Sequence, residues 1–175
     1  ELPLYDPKAR VQFVHNSADA SIVEVDLWMD QTLIFDDLPF RNATPFLNIP
    51  AARQITLAIA PADSQNPDDP IWSQTLTLDE EETYLMVAEG IVSPSGYNPP
   101  TPFGVAVFPT AQEQAINGAK TDLLVHHGST DAPVIDIYET RIGLGLVTDK
   151  LPYGGLDSIR DRRGRLRPVR DQHSR

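Results

Sequence analysis

The residue types that could take part in catalysis lie in one short segment that occurs twice, at residues 15–21 (HNSADAS) and 127–133 (HGSTDAP). Each copy holds histidine, serine and aspartate, the residue types of a nucleophilic triad. A triad needs a fold that brings these groups together beside an oxyanion hole, and neighbours two residues apart rarely achieve that. We therefore predict a structural turn in which serine and aspartate bond nearby backbone N–H groups. Its residues are His15, Ser17, Asp19, His127, Ser129 and Asp131.

A polar loop at residues 61–70 offers oxygen ligands of the kind that Ca²⁺ prefers. These are Asp63, Asn66, Asp68 and Asp69. The loop lacks the regular alternate-residue spacing and the glycine of an EF-hand loop. We predict a solvated loop with no cofactor, and keep calcium as the alternative.

A second loop, residues 92–102, contains four prolines and has polyproline II character. Such a rigid loop could present Tyr97, Asn98 and Thr101 to a sugar or a peptide, because loops on rigid sandwiches often carry binding. The other reading is that Tyr97 covers the end of the sandwich. Both stay open.

The elements that must position these residues are short strands. Apolar and polar residues alternate in segments such as 23–29 and 54–60, the period of a half-buried strand. About eight such strands with almost no helical periodicity predict an all-β fold, an immunoglobulin-like β-sandwich. The one helical candidate is Ala111 to Ala119, since it is rich in good helix formers and Gly118 near its end can terminate it.

The repeated segment divides the chain into domains. We predict an extended lead at 1–9, a sandwich at 10–110, a connector at 111–120, a partial second copy of the domain at 121–157 and a basic tail at 158–175. About 35 residues cannot bury a sufficient core alone. The second copy must pack on the first domain, self-associate with another chain, or be a fragment. The arginine-rich tail is either a divergent native segment or the product of a reading-frame change.

The charge distribution limits the partners. The formal net charge is −11, while residues 156–175 hold seven arginines and three aspartates. The remaining acidic body argues against nucleic-acid binding, because it repels phosphate. There is no cysteine for disulfide or thiolate chemistry. No apolar run approaches the roughly 20 residues of a transmembrane helix, so we predict no membrane span.

The repeated segment, the strand Val25-Asp26-Leu27-Trp28 and the element Leu38-Pro39-Phe40, echoed as Leu151-Pro152-Tyr153, resemble a known family. It is the bacterial domain of unknown function 4397. The resemblance covers roughly Arg10 to Phe108 and again Asp122 to Tyr153. It implies a secreted or cell-surface protein, often with tandem domains, and it transfers no catalytic residue.

These observations favour a non-enzymatic extracellular, cell-surface or periplasmic module with a structural, adhesive or partner-binding role. Its partner would be a protein or a glycan. The alternative is a carbohydrate-binding accessory domain that uses the Tyr97 loop. A hydrolase that uses the His/Ser/Asp segments ranks third.

Overall fold

The computed structural model describes residues 5–109, 111–141 and 143–159. Residues 1–4 of the predicted lead and residues 160–175 of the predicted basic tail lie outside this range. The chain divides into two compact units, which are described separately. The first unit is Glu1–Glu113 with Gly128–Asp131, and the second is Gln114–His127 with Ala132–Arg175.

The first unit consists of two four-stranded sheets. Its strands are β1 (Lys8–His15), β2 (Glu24–Met29), β3 (Thr32–Pro39), β4 (Leu47–Pro50), β5 (Gln54–Pro61), β6 (Trp72–Thr77), β7 (Thr83–Glu89) and β8 (Gly104–Phe108). One sheet has the order β4-β1-β7-β8 and the other β3-β2-β5-β6. Neighbouring strands are antiparallel except β1 and β7, which are parallel.

The core lies between these two sheets. Strand β1 alternates, so that Ala9, Val11, Phe13 and His15 are buried while the residues between them are partly exposed. One apolar cluster joins residues of both sheets, including Val11, Phe13, Tyr84 and Met86 from one and Val25, Leu27, Ile55, Leu57 and Ile59 from the other. The all-β sandwich predicted from the alternating pattern is therefore confirmed.

The strand order differs from the predicted immunoglobulin type. In an immunoglobulin constant domain the first, second, fourth and fifth strands share a sheet. Here β1 and β2 lie in different sheets, and β1 is an inner strand between β4 and β7. The reason is local: residues 16–23, which follow β1, carry the chain from one sheet to the other. The first His-x-Ser-x-Asp segment begins at His15, the last residue of β1, and continues into this crossover.

The described part of the second unit contains four strands, β9 (Leu123–His126), β10 (Ile135–Glu139), β11 (Gly145–Leu151) and β12 (Leu156–Ile159). Strand β9 pairs with β12 and β10 pairs with β11, both antiparallel. Among the described residues of this unit, the buried apolar side chains are Val147 and Leu151. Strand β12, in the sequence just after Leu151-Pro152-Tyr153, was not predicted.

Helix is confined, within the described residues, to one 3-10 turn at Ala20–Ile22. The predicted helix at residues 111–119 is not present; this segment forms turns and bends. Asn117 accounts for the difference, because its side chain accepts from Ala119 N at 3.0 Å and its carbonyl accepts from Lys120 N at 2.9 Å. Nine residues are also too few for a stable helix without packing. No helix in the described ranges is long and apolar enough to cross a membrane.

Candidate functional site

The first His-x-Ser-x-Asp segment lies at the end of β1, where the chain crosses between sheets. Its three polar side chains are buried: His15 is 0% exposed, Ser17 is 1% and Asp19 is 2%. A buried polar group costs free energy unless it is hydrogen-bonded. The partners of these side chains therefore decide whether the segment can do chemistry.

Asp19 is the most heavily bonded of the three. Its carboxylate accepts from Ser21 N and Ser21 Oγ, both at 2.9 Å, and so caps the 3-10 turn. It also accepts from Val92 N at 2.8 Å, Ser93 N at 2.6 Å and Ser93 Oγ at 2.7 Å. One carboxylate thus ties the crossover to the chain that follows β7.

These bonds also determine the ionisation of Asp19. Burial alone would raise the pKa of this carboxyl, but the hydrogen bonds from Ser21 and Ser93 outweigh it and hold the pKa well below its ordinary value. Asp19 is therefore an anion under all ordinary conditions. It is committed to neighbouring donors and is not available as a general base.

Ser17 is occupied in a similar way. Its hydroxyl donates to the Gly90 carbonyl at 2.6 Å, and the adjacent Asn16 N donates to Ala88 O at 2.8 Å. Gly90 has φ +84°, and a Cβ there would lie 2.1 Å from the Pro102 carbonyl oxygen. Only glycine fits this position. The Ser17 proton thus goes to a carbonyl, not to a catalytic base.

His15 is held as a neutral ring. Its Nε2 lies 2.7 Å from the Ile22 carbonyl, which can only accept, so Nε2 carries the proton. Nδ1 is buried without a partner among the described residues. Burial lowers the pKa of His15, although the bond to Ile22 opposes this. The edge of the ring meets Phe40, with centroids 5.9 Å apart.

The second segment has the same arrangement around its histidine. His127 Nε2 lies 3.0 Å from the Pro133 carbonyl, and the ring meets Tyr153 edge-on with centroids 6.3 Å apart. The backbone bonds also match. His127 N donates to Gly155 O and Gly154 N donates to His127 O, as His15 N donates to Asn42 O and Arg41 N donates to His15 O.

The two segments differ at serine and aspartate. Ser129 and Asp131 are exposed, and Ser129 Oγ donates to Asp131 Oδ1 at 2.9 Å. In the first unit the chain after β7 covers the corresponding residues, Ser17 and Asp19. The described part of the second unit contains no strand in the place of β7.

The aspartate of the following strand was missed by the sequence reasoning. Asp26 is 0% exposed; its Oδ1 accepts from Asp37 N at 3.0 Å and its Oδ2 accepts from Ser64 Oγ at 2.5 Å. In the second unit Asp136 Oδ1 accepts from Lys150 N at 2.8 Å. The available signal was an aspartate at the centre of an otherwise apolar strand.

Asp26 also belongs to an acidic cluster with Asp36 and Asp37, whose carboxylate oxygens lie within 4.8 Å of one another. The negative charge of Asp37 raises the pKa of Asp36, and burial and the neighbouring Asp26 raise it further. Both oxygens of Asp26 already accept hydrogen bonds. The bond from Asp37 N to Asp26 links β3 to β2, and the side chains of Asp36 and Asp37 are exposed.

The predicted calcium loop is spread over the surface. Asp63, Asn66, Asp68 and Asp69 are all exposed. Asn66 Oδ1 accepts from Asp68 N at 3.1 Å, a local turn. In the described parts of the chain, the acidic cluster at Asp26 is the only group of three carboxylate, histidine or cysteine side chains close enough to share an ion. The structure does not bring the loop aspartates together.

Tyr97 of the proline-rich loop is half-buried, and its hydroxyl contacts the crossover. The hydroxyl accepts from Ala20 N at 2.8 Å and lies 3.4 Å from Asp19 Oδ1. Asn98 is exposed, and Thr101 is half-buried with its carbonyl accepting from Ile91 N at 2.7 Å. The phenol therefore covers the end of the sandwich, and Asn98 is the part of this group that faces solvent.

In a comparison with protein families, residues 9–138 match the family described as Domain of unknown function (DUF4397). The chain belongs to this family. The DUF4397 match starts in β1 and ends in β10, so it includes both His-x-Ser-x-Asp segments. No curated protein and no solved structure matches the chain.

The stabilising role of the Asp19 carboxylate in this DUF4397 chain can be tested by removing its charge. Asn in place of Asp19 keeps the shape but loses an anionic acceptor for buried donors, so D19N should lower the free energy of unfolding by about 3 kcal/mol at pH 7. Urea unfolding measures the change. D63N, the same substitution in the exposed loop, should cost about 0.5 kcal/mol or less.

The loss of unfolding free energy in D19N should depend on pH. The stability from Asp19 is present above its unfolded pKa near 3.8 and is lost as the pH falls toward the lower folded value. The D19N deficit should therefore shrink below about pH 3.8. Equal stability of D19N and D63N at pH 7 would contradict the role given to Asp19.

His15 makes a separate prediction. Because its folded pKa lies below the ordinary 6.5, the unfolded chain binds the proton first and stability falls as the pH drops below 6.5. Gln at position 15 can still donate to Ile22 but cannot titrate. Between pH 7.5 and pH 5, H15Q should lose roughly 1 kcal/mol less unfolding free energy than the unmodified chain. Parallel pH curves for the two proteins would show that His15 is not held neutral.

Proposed function

We propose that the chain is a non-catalytic β-sandwich module of a secreted or cell-surface protein, with a role in surface assembly, adhesion or partner binding. One observation carries the proposal. The histidine, serine and aspartate of the first copy of the repeated segment are buried and bonded to backbone groups or to nearby serines. None of them is placed to attack or deprotonate a substrate.

The second unit supports a modular role, because we infer that it is a partial second copy of the first domain. Strands β9–β12 pair as β1–β4 do, with β9 on β12 and β10 on β11. The bridge between Val14 and Ala43 has its equivalent in the pair His126 and Leu156.

The proposed location and partners rest on charge and on the family resemblance. The formal net charge of −11 suits a protein exposed to salt and disfavours nucleic acid as the partner. The resemblance to family members that are secreted or surface-bound points the same way. A protein or a glycan of the cell envelope is the proposed partner class.

The absence of nucleophilic catalysis is directly testable. A fluorophosphonate probe reacts with a serine that a histidine base activates, whereas Ser17 donates to the Gly90 carbonyl and Ser129 donates to the Asp131 carboxylate two residues away. We expect no labelled band from the folded chain, with an authentic serine hydrolase labelled in parallel. The readout is gel fluorescence, confirmed by intact mass.

Labelling that disappears in S17A or S129A would overturn the non-catalytic proposal. In the same preparation, a pull-down against solubilised native envelope and a glycan array address the partner. Retention of one envelope protein or one glycan class supports partner binding. Failure of both would contradict it.

A further inference from the structure

Asn117 and Gly118 form the only asparagine–glycine pair in the sequence. They lie in the connector between β8 and β9, and Asn117, Gly118 and Ala119 are all exposed. The backbone nitrogen that follows an asparagine can attack the Cγ of its side-chain amide, because the two atoms close a succinimide ring. Glycine favours this attack, since it has no Cβ to hinder the nitrogen. The pair is therefore a place where the main chain can react with a side chain.

The structure leaves the attacking and the leaving nitrogen unoccupied. Among the described residues, neither Gly118 N nor Asn117 Nδ2 makes a hydrogen bond. A Cβ at Gly118 would meet no atom within 4 Å, so the space around the pair is open. Water and hydroxide therefore reach the pair, and no hydrogen bond of either nitrogen has to break before the reaction begins.

The side-chain oxygen of Asn117, by contrast, is held in place. Ala119 N donates to Asn117 Oδ1 at 3.0 Å, and this bond folds the side-chain amide over the Asn117–Gly118 peptide group. Lys120 N closes the turn by donating to the Asn117 carbonyl at 2.9 Å. Negative charge develops on Oδ1 when the glycine nitrogen attacks, and an N–H donor already in position stabilises that charge. The turn therefore favours the attack.

We propose that Asn117 is a site of spontaneous deamidation, promoted by this turn and yielding aspartate and isoaspartate. Hydroxide takes the proton of Gly118 N, the nitrogen bonds to Asn117 Cγ, and the Cγ–Nδ2 bond breaks. Nδ2 takes a proton from water and leaves as ammonia, which regenerates the hydroxide and leaves the succinimide. One water then adds to either ring carbonyl and opens the ring. The net reaction consumes one water and releases one ammonia, with no oxidation or reduction.

The other five asparagines lack this combination, because each is followed by a residue other than glycine, and two of them by proline. Proline has no N–H to deprotonate. The serine, alanine and isoleucine that follow the remaining three carry a Cβ, which hinders the approach of the nitrogen. These five asparagines are Asn16, Asn42, Asn48, Asn66 and Asn98. Asn117 should therefore react first.

The reaction changes both the charge and the geometry of the connector. Each product adds one negative charge to a chain whose formal net charge is −11. Opening of the ring at the main-chain carbonyl gives isoaspartate, in which the main chain runs through the former side chain and is longer by one methylene. The bonds from Ala119 and Lys120 then cannot both keep their present geometry. Because the reaction needs only water, the modified fraction rises with the age of the protein.

The test is to incubate the whole purified chain in mildly alkaline buffer and to map its peptides by mass spectrometry at intervals. Aspartate and isoaspartate should accumulate at position 117 while the other five asparagines stay intact. The rate should rise with pH, because hydroxide removes the Gly118 proton. G118A should slow the loss of Asn117 by roughly tenfold or more, because the added Cβ hinders the attacking nitrogen.

A43G is the matched control for the turn, because it places a glycine after Asn42, which is exposed like Asn117. The described residues supply no donor to Asn42 Oδ1, and Asn42 Nδ2 donates to the Phe40 carbonyl at 3.4 Å. In A43G, Asn42 should therefore react severalfold more slowly than Asn117 of the same molecule. Peptide mapping of the one sample measures both rates.

Three results would each overturn the proposal. The first is an Asn117 that remains intact in the folded chain over a period in which a free peptide of residues 114–121 deamidates. The second is an Asn42 in A43G that reacts as fast as Asn117, and the third is a G118A chain that deamidates as fast as the unmodified one. None of them bears on the proposed function, since fluorophosphonate labelling does not involve this turn.

Discussion

The buried carboxylate of Asp19 is the interaction on which the end of the first sandwich depends. A buried negative charge is tolerated only when hydrogen-bond donors surround it. Ser21 supplies two of them from the crossover, and Val92 and Ser93 supply three from the chain that follows β7. The crossover joins β1 of one sheet to β2 of the other, whereas the chain after β7 joins β7 to β8 within the first sheet. The anion therefore fixes where the chain leaves one sheet for the other. Ser17 and Tyr97 add bonds to the same junction.

The histidine has a related but separate task. In both units it joins the end of a first strand to the segment after the Leu-Pro-aromatic element by two backbone bonds, and its ring stacks edge-on against that aromatic residue. The aspartate of the segment is buried and bonded only in the first copy, where Val92 and Ser93 of the chain after β7 donate to Asp19. In the second His-x-Ser-x-Asp segment the histidine arrangement persists while Ser129 and Asp131 are exposed. The histidine contacts therefore belong to the first four strands, and burial of the serine and aspartate requires strands that come later.

Much of the fold could be predicted because alternation is a local signal. The strands around Val11, Val25 and Ile55 follow from period-two burial. The sheet order could not be predicted, since nothing in the local pattern distinguishes a β1 that pairs with β7 from one that pairs with β2. The bonds from Ser93 to Asp19 span 74 residues and leave no local trace. The helix expected at 111–119 failed for the opposite reason: its propensity was real but weak, and the Asn117 turn decided the conformation.

The central claim is that this segment is a structural junction locked by Asp19. Native-state hydrogen exchange of the Val92 and Ser93 amides tests it most directly, because both lie in a loop, outside any strand. If they donate to a buried carboxylate, they should exchange only through large openings, with protection close to that of the β7 amides. Exchange at the rate of an open loop would contradict the account.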